Sequence, residues 1–165
     1  MTRLLSRGLA VSLILATAAA CTTTGSGSEI RPPLIRQITQ SAHCGLSGPG
    51  VAVVKSLNQR DVLLDVPGQN MATDAVRRVV LANEHLIFVT LGQKPTAGYS
   101  LGLSSSEIEN STLVLEMALK EPAPGMIVAQ VITSPCVVLA AEPGQWQSVQ
   151  VNGLGEQPIM SKPGN

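Results

Sequence analysis

The chain has 165 residues, 44% of them hydrophobic but only 2% aromatic, and its eleven Lys/Arg are balanced by eleven Asp/Glu. That balance leaves no basic field for nucleic acid, and the length suits one domain whose core has to be aliphatic. Eleven prolines and fifteen glycines break the chain into short runs of valine, leucine and isoleucine, the pattern of a mainly β protein.

Residues 1–20 read as a targeting segment. Arg3 and Arg7 precede the apolar run 9–15, which is too short to span a bilayer and ends in the small residues ATAAA before Cys21. The sequence AAAC resembles a bacterial lipobox, in which the signal is cleaved before a cysteine that then carries lipid; Ala18 stands where leucine is commonest. Thr22, and not aspartate, follows that cysteine, which by the lipoprotein sorting rule implies the outer membrane, with the protein facing the periplasm. Residues 21–33 then hold the lipidated Cys21 and the flexible Gly/Ser-rich tether TTTGSGS. Without the leader and its two arginines, nine Lys/Arg face eleven Asp/Glu, a net charge near −2. With Cys21 assigned to lipid, Cys44 and Cys136 are the pair left for an oxidising compartment. A bridge between them would remove about 4–5 kcal/mol of unfolded-state entropy in the chain-entropy model. The other reading is a buried Cys136 in an apolar strand and a loose Cys44.

Residues 34–152 are expected to form a single β-rich domain, an antiparallel β-sandwich-like fold with one N-terminal helix. VAVVK (51–55) and RDVLLDV (60–66) read as strands, the second closed by Pro67 and Gly68. In residues 71–85, Ala72, Ala75, Val76, Val79 and Val80 recur at three and four, which predicts a helix of about three turns. HLIFVTL (85–91) is strongly strand-like, and YSLGLSS (99–105) alternates with period two. TLVLEMALK (112–120) alternates as well, with one face buried and one mostly wet. After the rigid loop EPAPG (121–125), MIVAQVIT (126–133) and CVVLAA (136–141) read as two strands separated by Ser134 and Pro135. WQSVQVN (146–152) is the last strand, with Val149 and Val151 inward and Trp146 to one side; residues 153–165 form a turn-rich tail.

No phosphate loop, dinucleotide fingerprint, His-Glu-x-x-His or paired Cys-x-x-Cys is present, so neither a metal nor a cofactor is expected. His43 beside Cys44 raises thiol catalysis, but adjacent side chains point apart and Cys44 has a disulfide partner. Ser47 in GLSGPG lacks the spacing of a nucleophile elbow. Asp61 and Asp65, four apart, would share a face of a helix or of a strand, where they read as solvated charges. A small secreted β domain without a nucleophile, base or metal cluster points to a binding module and not to an enzyme.

The most tightly composed stretch is LGQKPTAGYSLGL (91–103). Pro95 fixes its own φ and drives Lys94 into an extended conformation, Gly98 accepts positive φ, and Thr96 can bond locally, so residues 92–99 form a stiff hairpin-type loop. Tyr99 follows at the head of the next strand, where its ring can cover the core rim and its hydroxyl reach a loop carbonyl. Two readings stay open: a structural tyrosine capping a turn, or a presented recognition edge from Lys94 to Tyr99.

Three blocks of fixed residues resemble the C-terminal domain of PrcB, a lipoprotein subunit of a bacterial cell-surface protease complex. They are Gly92, Lys94, Pro95, Thr96, Gly98 and Tyr99 in the turn, Pro122, Pro124 and Gly125 in the proline-glycine loop, and Ser134 and Pro135 before the apolar strand. The likeness covers about 87–151, with Ala97 where a second glycine is usual. A fainter likeness is to chagasin-type cysteine protease inhibitors, whose binding loop shares Pro95, Thr96, Gly98 and Tyr99; Lys94 replaces their asparagine and Leu101 their tryptophan. The resemblance implies a non-catalytic protein-binding subunit whose partner is a protease or protease-complex component, with the three blocks as its binding loop. The alternatives are a structural envelope lipoprotein and a chagasin-like inhibitor.

Overall fold

The computed structural model describes residues 35–161. The leader, Cys21 and the tether lie outside the described residues. Ten elements follow in order: β1 (Ile35–Ser41), β2 (Pro49–Val54), α1 (Leu57–Leu64), α2 (Thr73–Arg77), β3 (His85–Leu91), β4 (Ser100–Glu109), β5 (Thr112–Lys120), β6 (Cys136–Ala141), β7 (Ser148–Asn152) and β8 (Ile159–Met160). They build two four-stranded sheets, ordered β1-β6-β3-β2 and β4-β5-β7-β8. The protein is mainly β, as its composition predicts, and the pairs are antiparallel except β5 with β7, which is parallel.

The apolar runs of β3 and β6 are continuous because both strands are central and covered on both faces. Ile87, Val89, Leu91, Val137 and Leu139 point between the sheets, where Leu101, Leu113, Leu115, Val149 and Val151 meet them. Leu86, Phe88, Val138 and Ala140 point the other way and are covered by Leu64, Met71, Val76 and Val79. Each such valine, leucine, isoleucine, methionine or phenylalanine side chain, withdrawn from water, contributes about 1.5–3 kcal/mol. Trp146 belongs to the inter-sheet core and is not set aside from it; its indole N–H donates to the Glu142 carbonyl at 3.0 Å.

Four expectations are corrected. Residues 57–64 are helical, so the strand read at 60–66 is absent and the described residues hold two helices where one was expected. Ser56 caps α1 by accepting from the Gln59 amide at 3.3 Å, while the Gln59 side chain reaches back past the cap to accept from the Lys55 amide at 2.9 Å; this N-terminal capping outweighs the β propensity of a single valine. The expected three-turn helix is only Thr73–Arg77, because Ala72 offers no side-chain cap and Val79 and Val80 are β-branched. The chain continues past it in turns closed by Asn83 and Glu84 bonding to the Val80 carbonyl. Residues 126–132 form no strand, and only Thr133 and Ser134 make isolated bridges, with Lys94 and His43. Finally, β1 and β8 occur where no strand was read, β8 beyond residue 152.

Candidate functional site

The turn begins where β3 ends. Thr90 Oγ1 accepts from the Gly92 amide at 3.0 Å, and the Leu91 amide donates to the Pro135 carbonyl at 2.9 Å. Gly92 has φ +68° and lies against the backbone of the GLSGPG loop: a Cβ there would sit 2.8 Å from Gly48 C and Pro49 N. That contact and the positive φ both require glycine. The Gln93 amide then donates to the Ser47 carbonyl at 3.1 Å. Ser47 is thus part of the floor of the turn and not a nucleophile elbow.

From Lys94 onward the turn is stitched to residues 129–133. Lys94 and Thr133 exchange both backbone hydrogen bonds at 2.8 and 2.9 Å, and the Ala97 amide donates to the Ala129 carbonyl at 3.0 Å. Thr133 Oγ1 donates to the Thr96 carbonyl at 2.9 Å. Gly98, at φ +98°, packs on the proline-glycine loop, with the position of a Cβ 2.9 Å from Pro122 Cγ and 3.6 Å from Val128 Cγ1. Pro124 and Gly125 turn the chain, closed by the Met126 amide on the Ala123 carbonyl at 3.0 Å. The three blocks, up to 43 positions apart in sequence, therefore meet in space.

Their exposure differs. Pro95, Gly98, Pro124 and Gly125 are exposed, and Lys94, Thr96, Tyr99 and Pro122 are half-buried. Gly92, Ser134 and Pro135 are buried and support the surface without forming it. Ser134 Oγ accepts from the Cys44 and Gly45 amides at 3.0 and 2.9 Å, which fixes the start of the GLSGPG loop. The Cys44–Cys136 disulfide, with Cα atoms 6.0 Å apart and both residues buried, ties the same loop to β6. Tyr99 packs its ring against the inter-sheet core, and Lys94 Nζ lies over that ring 5.5 Å from its centroid. Its hydroxyl makes no hydrogen bond among the described residues, unlike the carbonyl contact expected of it.

The remaining chemical candidates are dispersed. The disulfide consumes the Cys44 thiol beside His43, whose carbonyl accepts from the Asn70 amide at 2.7 Å. Asp61, on α1, and Asp65, its C-cap, both pair with Arg77, at 2.9 and 3.5 Å. His85 stands edge-on to Trp146 with ring centroids 5.8 Å apart. Burial first, and the nearby Lys55 cation second, hold its pKa below the ordinary 6.5. Among the described residues no group of three or more His, Cys, Asp or Glu is placed to hold a metal ion.

Sequence reasoning missed Ser47, Ala129 and Thr133 as partners of the turn, because their contributions are mainly backbone contacts across long separations. The exposure of Met126, Ile127, Val131 and Ile132 was also missed, since their composition reads as strand.

Residues 86–142 match the family model described as PrcB C-terminal. The match opens at the head of β3, closes after β6, and contains all three blocks. No curated protein and no solved structure matches the chain.

Proposed function

From residues 86–142, which carry the PrcB C-terminal family region, we infer that the chain is a non-catalytic, protein-binding subunit of a protease complex, held at the cell envelope by lipid on Cys21. The observation that carries this reading is the convergence of the turn, the proline-glycine loop and residues 126–133 on one exposed edge. A turn bonded on both flanks is already ordered, so a partner that docks on it loses little further conformational entropy. The subunit supplies no chemistry of its own in this reading; it positions or restrains a partner that does.

The test recovers tagged full-length chain from envelope extract and asks whether a protease component co-purifies. Lys94→Ala, in the turn and outside the core, is expected to weaken that capture with an unchanged melting temperature. Retained capture by this variant, or recovery without any protease component, refutes the reading. Incorporation of labelled palmitate, lost in Cys21→Ser, tests the anchor separately.

A further inference from the structure

Residues 126–132, MIVAQVI, contain no charge and leave large apolar side chains in water: Ile127 is 100% exposed, Ile132 68%, Met126 59% and Val131 46%. Single exposed hydrophobics are ordinary, whereas four within seven residues make a patch that marks an interaction surface. The backbone of the same stretch is free on one side. Ala129 accepts from Ala97, Thr133 pairs with Lys94 and the Gln130 side-chain amide donates to the Val128 carbonyl at 3.3 Å, but no backbone amide from 127 to 132 donates a hydrogen bond to any group among the described residues. Isoleucine and valine favour extended backbone, and an unpaired apolar edge without lysine, proline or bulge is a template for strand addition.

We propose that residues 126–132 form an edge to which a partner protein adds an extended segment bearing apolar side chains and one acidic residue, with Lys94 on the flanking turn as the cation that acidic residue faces. The acidic residue follows from charge. Lys94 is joined to this stretch through Thr133, its ammonium is held over Tyr99, and it makes no ion pair with a carboxylate among the described residues. A second copy of this chain is a poor occupant, because two copies of an uncharged stretch flanked by Lys94 bring cations together with no carboxylate between them. The proposal rests on the reading of the chain as a protein-binding subunit and names what that edge takes.

The probe is a capped heptapeptide of alternating valine and threonine with one central aspartate, added to the full-length chain. Controls carry lysine at the centre, or N-methyl groups that remove the backbone donors of one edge. The aspartate peptide is expected to slow amide exchange across 127–132 and to bind about five-fold more tightly than the lysine peptide. Lys94→Glu is expected to reverse that preference, the N-methylated peptide to show no binding, and Ile127→Lys, at a fully exposed position, to weaken binding in a folded protein. Unchanged exchange at millimolar peptide, equal binding of the two charges, or protection confined to the free edge of β2 overturns the proposal. Failure here with a protease component still captured leaves the protein-binding reading standing; peptide binding without any captured protease component sinks that reading and keeps the edge.

Discussion

Gly98→Ala tests whether the turn and the proline-glycine loop are one packed unit. The substitution has two costs. Placing an L residue at φ +98° costs about 1–2 kcal/mol, and the new Cβ, 2.9 Å from Pro122 Cγ, forces the proline ring aside for about 1 kcal/mol more, the low end of overpacking because this loop is partly solvent-exposed. Only the second depends on Pro122. A double-mutant cycle with Pro122→Ala therefore separates them: Gly98→Ala costs about 2–3 kcal/mol alone and about 1 kcal/mol less when the ring has been removed. Urea denaturation of the four proteins, read as shifts of midpoint at constant m, gives each free energy. Additivity within about 0.3 kcal/mol would mean that the two blocks do not touch, and the geometric basis of the candidate edge would fall.

Replacing Cys44 and Cys136 together by alanine is expected to lower stability by about 4–5 kcal/mol in the chain-entropy model, since the bridge closes a loop across a sequence separation of 92; denaturant titration measures it, and the Gln93 amide should lose exchange protection more than the Val89 amide does. Ser56→Ala removes the cap of α1 and should cost about 1 kcal/mol, with the loss confined by hydrogen exchange to residues 57–64. His85 has a folded pKa below its ordinary 6.5, so the unfolded chain binds more protons between the two values. Its contribution is complete above about 6.5 and is lost as pH falls toward the folded value, so unfolding free energy should decline from pH 7 to 5 and decline less in His85→Gln.

Much of the fold was legible because burial writes directly into composition. β3 and β6, covered on both faces, could only be apolar runs, and β5 shows the alternation of a strand with a drier and a wetter side. What was illegible lay where a few backbone bonds decide between states. The α1 segment has a helix-start signal in Ser56 and Gln59, but its apolar residues Val62, Leu63 and Leu64 are consecutive, which hides the helical period. Edge strand β1 carries just two apolar residues, Ile35 and Ile38, one facing each core, so no alternation is visible. Residues 126–132 have the composition of a core strand without the burial, and composition alone cannot report a missing neighbour. The family blocks were readable as residues, yet their division into an exposed edge and a buried support required the contacts of Ser134 and Gly92.

That division gives the buried members of the three blocks a supporting task distinct from that of the exposed ones. Gly92 and Ser134 touch no partner in the proposed arrangement; they bring the GLSGPG loop close enough for the Ser47 carbonyl to hold Gln93. Pro135, through its carbonyl on the Leu91 amide, fixes the level at which residues 129–133 meet the turn. A support of backbone bonds and one disulfide is expected to tolerate changes at exposed Ile127 far better than a side chain at Gly92, where a Cβ would meet backbone at 2.8 Å. If the proposed binding role holds, partner capture and fold stability should therefore respond to different sets of substitutions.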